Sequence, residues 1–248
     1  MEVDDRRTPE SELSPAFASG RDATIHAFGP DRVLRRTPDP RDHTAEADVM
    51  ELVRAAGFPV PQVFRRGPGE MVMARIEGPT MLEDIEAHPW RIDRHARTLA
   101  DLHARLHAIE APEWLRPLRV PGSAVLHLDF HPGNVILSPS GPMIIDWSNA
   151  ARGDPAADVA LTWILMAAFE RDDGPVTGSL PKRILTHVER RAEPWIRRRL
   201  VRTFVRASGL EAETRRVLGA TADHRLADRS VREGEREAIL ALVSREGS

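Results

Sequence analysis

One stretch constrains this chain more than any other. It runs His127-Leu128-Asp129-Phe130-His131-Pro132-Gly133-Asn134, then Val135-Ile136-Leu137, Ser138-Pro139-Ser140-Gly141-Pro142 and Met143-Ile144-Ile145-Asp146-Trp147. Two apolar triplets around turn-forming residues predict a β-hairpin. Asn134 and Asp146 stand six residues either side of Ser140, so this hairpin is expected to bring amide and carboxylate together at its open end. Asp129 is delivered beside them by a loop kinked at Pro132-Gly133. One neutral oxygen donor and two carboxylates suit a hard, partly hydrated cation such as Mg²⁺ bridging phosphate oxygens, and do not suit zinc. Phosphoryl transfer asks its protein for positioning and charge neutralisation: a carboxylate to hold the acceptor hydroxyl, and metal ligands for the nucleotide phosphates. Asp129, Asn134 and Asp146 match those parts.

Composition removes the competing chemistries. The 248 residues contain no cysteine, which excludes thiolate nucleophiles, cysteine-bound zinc or iron–sulfur clusters, and disulfides. A formal charge of -3 gives no global field toward DNA or an anionic membrane. With 41% hydrophobic and 29% charged residues the chain reads as an ordinary globular protein. The best apolar run, Val159 to Phe169, is far short of the ~20 residues that span a bilayer, and Met1 to Glu10 has no signal-like apolar core. The expectation is a cytoplasmic protein with no membrane and no nucleic-acid partner. Lys182 is the only lysine, arginine supplying almost all the positive charge.

Along the chain, the opening residues read as a frayed leader to about Leu13, with structure beginning at Phe17. Ala23 to Phe28 and Arg32 to Arg36 flank Gly29-Pro30-Asp31 and predict a hairpin, entered by the loop Ala18-Ser19-Gly20-Arg21. Ala45, Val49, Leu52, Val53 and Ala56 recur at helical spacing from His43 to Ala56, stopped by Gly57 and Pro59. Val60 to Arg66 and Met71 to Ile76 form two more strands. Beyond Gly78 the chain is helix-rich: Arg91 to Ile109 is amphipathic, and Asp154-Pro155 opens an almost wholly apolar, buried helix from Ala156 to Phe169. Three or four further helices fill Lys182 to Val243, broken at Pro194, Gly209 and Gly234.

The segment from His127 to Asp146 resembles the aminoglycoside phosphotransferase and choline kinase family, small-molecule kinases marked by His-x-Asp-x-x-x-x-Asn and a following strand that ends in Asp. The similarity runs from about Ser19 to Ala160. The resemblance implies an α+β, two-lobed protein-kinase-like fold: a leader at 1–16, a small antiparallel β lobe at 17–77 that binds nucleotide, and a larger, mostly helical lobe at 78–248 that carries catalysis and the acceptor. It implies Asp129 as the catalytic carboxylate, Asn134 and Asp146 as Mg²⁺ ligands, and His127 as a support of the loop. Gly153-Asp154-Pro155-Ala156-Ala157-Asp158 looks like the family's next block, in which Asp158 supports the catalytic loop from a buried helix. Where such kinases pair a strand lysine with a helix glutamate, this chain has Arg35, with Glu46 as its partner. Ser19-Gly20 stands in for the phosphate-covering loop, and Met73, Ala74 and Ile76 lie where the inter-lobe hinge meets the base.

The activity implied is transfer of the γ-phosphoryl group of Mg-ATP or Mg-GTP to a hydroxyl of a small molecule; the alternative is a nucleotide-binding pseudokinase, suggested by the missing lysine. An antibiotic, a choline-like amine, a sugar and an amino acid all remain open as acceptor. Glu170, Asp172 and Asp173 fall on the side where the family binds acceptors. Trp163, Met166 and Phe169 either line that pocket or fill the core. His103 and His107, at i and i+4, lack the Glu of a zinc-binding His-Glu-x-x-His and read as structural. His131 reads as a packing residue. The arginines from Arg190 to Arg199 read as a solvated helix face. Lys182 follows Ser179-Leu180-Pro181 rather than a glycine-rich cradle, so there is no Walker A site.

Overall fold

A computed structural model of the chain describes residues 2–3, 8–9, 13–19, 23–37, 43–168, 180–228 and 231–246. A six-stranded sheet is formed by β1 (Glu2–Val3), β2 (Ala16–Ser19), β3 (Thr24–Ala27), β4 (Arg32–Arg36), β5 (Val63–Gly67) and β6 (Glu70–Ala74) in the order β1-β5-β6-β4-β3-β2. All pairs are antiparallel except β1 on β5. The predicted β3–β4 hairpin turns at Gly29, whose φ of +79° is open to glycine at little cost. The helix α1 (Thr44–Ala55) buries Glu46, Ala47, Val49, Met50 and Val53, a face rotated from the expected one, since Ala45 and Ala56 are exposed.

Two expectations about the first lobe need correction. The leader is not wholly frayed: Glu2 and Val3 pair with Arg65 and Arg66, and Thr8 donates from N and Oγ1 to Glu70. The anchor is Glu70, which is 2% exposed and bound to Arg36; a buried carboxylate takes every donor within reach. The expected loop from Ala18 is partly strand, because Ser19 pairs with Thr24, while Gly20 lies outside the described residues. Arg35 and Arg36, adjacent on β4, point to opposite faces of the sheet: Arg36 to Glu70, Arg35 toward Glu46 on α1.

The second part opens with α2 (Met81–Ala87), which the sequence reading missed although Thr80 and Glu83 form a reciprocal capping box at its start. Then follow α3 (Ile92–His107), β7 (Ala124–Leu126), the hairpin β8 (Val135–Ser138) with β9 (Gly141–Ile144), β10 (Ala151–Gly153) paired with β7, and α4 (Pro155–Ala168). α3 buries Ile92, Leu99, Leu102 and Leu106 as its periodicity predicts. α4 is buried nearly all round, Trp163 and Met166 within the core. Asp154 Oδ1 caps it, accepting from Ala156 N at 2.8 Å. Three helices finish the chain: α5 (Leu180–Ala207), α6 (Glu211–Leu226) and α7 (Glu233–Glu246). Neither Pro194 nor Gly234 breaks a helix, as expected of them: Pro194 lies inside α5 and Gly234 in the first turn of α7. Pro194 lacks the N–H of one helical bond; packing of α5 on α3 and α4 holds the helix through it.

Among the described residues no helix is long and apolar enough to cross a membrane.

Candidate active site

β7 delivers the chain into the loop from His127 to Asn134, and Leu128 at its start has φ +59°. For a side chain with a Cβ this costs about 1–2 kcal/mol. Asp158, in the first turn of α4, holds it there: its Oδ2 accepts from His127 N at 3.0 Å and its Oδ1 from Leu128 N at 2.8 Å. His107 Nε2 adds a third donor at 3.0 Å. Burial alone raises a carboxyl pKa, but here the His107 hydrogen bond and charge, the field of His103 and the His127 N–H outweigh it, so Asp158 stays well below the usual carboxylate range.

His127 is fully buried. Its Nδ1 accepts from Asp129 N at 3.2 Å and its Nε2 donates to Ile145 O at 3.1 Å, so the ring is neutral with its proton on Nε2. Burial pushes its pKa down, in keeping with that tautomer. One side chain thereby ties the Asp129 backbone to the strand end that precedes Asp146. Trp147 packs behind it, ring centroids 4.6 Å apart.

Asp129 Oδ2 accepts from Asn134 Nδ2 at 3.0 Å, and the same amide nitrogen reaches Asp129 O at 2.9 Å. His131 Nδ1 accepts from Gly133 N at 3.1 Å, leaving the proton of the neutral ring on Nε2, 3.5 Å from Asp129 Oδ1. Burial, then the His127 field, pushes His131 down to about 4. With its acceptor nitrogen occupied, His131 packs and orients rather than taking a proton. A Cβ at Gly133 would stand 2.8 Å from the His131 ring, so only glycine lets the ring lie there.

Asp146 follows β9 with φ +64°. Its Oδ1 accepts from Arg35 Nη2 at 3.1 Å and from Ser148 Oγ at 2.9 Å. Arg35 Nη1 pairs with Glu46, whose Oε2 lies 3.1 Å from His43 Nδ1. Burial opposes the charge of Arg35, but Glu46 and then Asp146 more than compensate and raise its pKa. The β8–β9 register sets Val135 opposite Ile144 and Ser138 opposite Gly141. Asn134 therefore faces Ile145, bonded N to O at 3.0 Å, and Asp146 stands one residue further out. The symmetry about Ser140 was half a residue off, because the turn has two residues, Pro139 and Ser140.

Of the sequence-derived site residues, the structure gathers Asp129, Asn134, Asp146, Arg35, Glu46, His127 and Asp158. Met73 is paired in the sheet with Val33 and Val63, and Ala74 N already donates to Gln62 O at 2.9 Å. Ile76 lies beyond β6 and outside the ladder. Gly20, Phe169, Glu170, Asp172 and Asp173 lie outside the described residues, as do the side chains of Lys182, Arg190 and Arg191. Sequence reasoning missed the part played by His107; its i, i+4 spacing from His103 was the available signal.

A divalent cation fits the donor set. Asn134 uses its amide nitrogen on Asp129 and presents Oδ1, Asp146 uses Oδ1 and presents Oδ2, and both are hard oxygens. Among the described residues no group of three or more His, Asp or Glu side chains forms a self-sufficient metal cage. Two protein oxygens match an ion that takes its remaining ligands from phosphate and water.

A family model described as the phosphotransferase enzyme family matches residues 15–123 and 111–195. A thiamine kinase of Escherichia coli (strain SMS-3-5 / SECEC) is 38% identical over 87 residues, 34% of this chain and 30% of that protein. One of Shigella boydii serotype 4 is 37% identical over 87 residues, again 34% and 30%. The match thus spans under a third of the length of these curated relatives. Among solved structures, a thermostable mutant of an aminoglycoside phosphotransferase, in a ternary complex with AMP-PNP and hygromycin B, superposes over 96% of this chain and 94% of its own with TM-score 0.55 at 16% identity. Another, in a streptomycin–ATP ternary complex, covers 93% and 91% with TM-score 0.56 at 16% identity. At that identity the likeness is one of fold: the two-lobed, protein-kinase-like α+β architecture.

Proposed function

The chain belongs to the phosphotransferase enzyme family, and from that premise we propose that it transfers the γ-phosphoryl group of magnesium-bound ATP or GTP to a hydroxyl of a small molecule. One observation carries the reading: Arg35 of the sheet reaches Asp146 of the hairpin, beside the Asp129–Asn134 pair. In this reading phosphate-binding charge, metal ligands and acceptor carboxylate are brought together where the sheet meets the hairpin and the loop.

In this reading Asp129, its carboxylate aimed by Asn134 and its backbone by His127, accepts a hydrogen bond from the acceptor hydroxyl. That oxygen bonds to the γ-phosphorus as the bond to the leaving nucleoside diphosphate breaks, and the hydroxyl proton ends on Asp129. Asn134 and Asp146 would hold Mg²⁺, which when bound would supply neutralisation of phosphate charge. Arg35, fixed by Glu46, offers a planar fork to phosphate oxygens in place of the usual ammonium. Asp158 and His127 keep the loop in its strained conformation before substrate arrives. The backbone at Ile76 is left to meet the base, since Ala74 N is committed within the protein.

Calorimetric titration of ATP and GTP, with and without Mg²⁺, into the wild type and Asp146→Ala tests this. The expected result is metal-dependent binding that the variant loses; a mass-shift screen then begins with thiamine and aminoglycosides, the compounds named for the relatives. Absence of nucleotide binding to folded protein overturns the kinase reading in favour of a non-catalytic scaffold.

A further inference from the structure

Apart from Asp158 and Thr162, α4 carries no charged, hydroxyl or amide side chain. Thr162 lies one helical turn beyond Asp158, on the same face, and is fully buried. Its Oγ1 donates to Phe130 O at 3.0 Å. Phe130 separates Asp129 from His131, so α4 grips the loop twice: Asp158 takes the N–H groups where it begins, and Thr162 the carbonyl immediately after Asp129.

The same hydroxyl has a second neighbour. His103 of α3 lies with Nε2 3.1 Å from Thr162 Oγ1 and Nδ1 2.9 Å from Leu99 O. Its ring is 1% exposed and stacks on Phe130, centroids 4.2 Å apart and planes 19° from parallel. Three contacts need three protons. A carbonyl only accepts, so Leu99 O requires the proton on Nδ1. Burial keeps the ring neutral, its pKa pushed down to about 3, and Nε2 is then a bare acceptor. Thr162 owns one proton, which serves either Phe130 O or His103 Nε2. If it goes to the histidine, the buried Phe130 carbonyl loses this donor, at about 1–3 kcal/mol for an unsatisfied buried group.

We propose that Thr162 is a positioning residue for phosphoryl transfer, its hydroxyl clamping the Phe130 carbonyl to hold Asp129 in place, and that His103 is a competing acceptor that loosens the clamp. The effect on turnover rests on the kinase reading above; the clamp itself does not. A hydroxyl engaged with Phe130 O leaves the chain on both sides of the Asp129 Cα fixed, by Thr162 after it and by His127 before it. A hydroxyl turned to His103 frees the Phe130 carbonyl from α4 and leaves the second side to bonds made within the loop, from His131 N and Asn134 Nδ2 to Asp129 O.

The test uses the full-length protein and the variants Thr162→Val, which keeps shape and removes the donor, Thr162→Ser, which keeps the donor, and His103→Phe, which keeps the stacked ring and removes the competitor. Two quantities are read: steady-state phosphoryl transfer from Mg-ATP, to an acceptor found by the mass-shift screen or to water, and amide hydrogen exchange of the peptide spanning residues 127–134. Thr162→Val is expected to lower kcat by about tenfold to a hundredfold, with the nucleotide KM within about twofold and with faster exchange of the loop. Thr162→Ser restores both, and His103→Phe slows exchange of the loop below the wild-type rate. Wild-type kcat and exchange in Thr162→Val, or equal losses in Thr162→Val and Thr162→Ser, overturn the proposal. A wild type that transfers no phosphoryl group defeats the kinase reading, and the exchange rates then decide the clamp alone.

Discussion

Arg35 Nη2 lies 3.1 Å from Asp146 Oδ1, a contact between residues 111 positions apart. It joins the sheet to the hairpin at the place where nucleotide phosphates are proposed to sit, and the other end of the same guanidinium is fixed by Glu46. The planar fork makes both contacts at once through two different nitrogens, Nη1 to Glu46 and Nη2 to Asp146.

Substitution at this position should therefore order as Arg, then Lys, then Ala. Hydrogen bonds to charged groups contribute about 1.5–3 kcal/mol. Arg35→Ala is expected to weaken Mg-ATP binding by roughly tenfold to a hundredfold on that basis, with Arg35→Lys between it and the wild type. Calorimetry with each variant checks the order; a lysine variant that binds more tightly than the wild type contradicts it.

Asp129→Asn preserves an oxygen for Asn134 Nδ2 and removes the group that takes the hydroxyl proton. Loss of a positioned acid or base typically costs about 10²–10⁴-fold, so turnover should fall in that range while Mg-ATP affinity stays within a few-fold. Single-turnover assays alongside calorimetry separate the two.

Asp158→Asn tests the buried end of the site. Both oxygens of Asp158 accept from N–H groups, so an amide in its place turns an NH₂ against a donor. The loss should be at least about 1.5–3 kcal/mol, because the strained Leu128 also loses its support. Urea denaturation should show a lower midpoint with an unchanged slope.

The buried histidines set an acid limit. His103 and His131 titrate at about 3 and about 4 in the folded chain against 6.5 when unperturbed. The unfolded chain binds protons first, so the contribution of each neutral ring is complete above 6.5 and is lost as pH falls toward its folded value. Asp158 adds the same sign in more acid solution, being present above the ordinary carboxylate pKa and lost as pH falls through its depressed one. Melting temperature should be nearly flat from pH 8 to 7 and fall increasingly from pH 6.5 to 5. A rise over that acid interval contradicts the neutral assignment of both rings.

What the sequence determined by itself was local. The β8–β9 hairpin, the amphipathic α3 and the buried α4 follow from side-chain periodicity and from turn residues whose preferred dihedrals act over a few positions. The residue types at Asp129, Asn134 and Asp146 carry their chemistry wherever the chain places them. Tertiary structure decided the rest. It carried α5 through Pro194, because packing against α3 and α4 outweighs one missing hydrogen bond, and it drew Glu2, Val3 and Thr8 onto the sheet, because buried Glu70 collects donors across 62 residues. It shifted the hairpin register by half a residue, since ladder bonds rather than symmetry about Ser140 set the pairing. The Arg35–Asp146 and Thr162–Phe130 contacts exist only once sheet, loop and α4 pack together. Long-range pairing of polar groups depends on which of them are sealed from water in the same place, a property of the folded interior that no local window of residues contains.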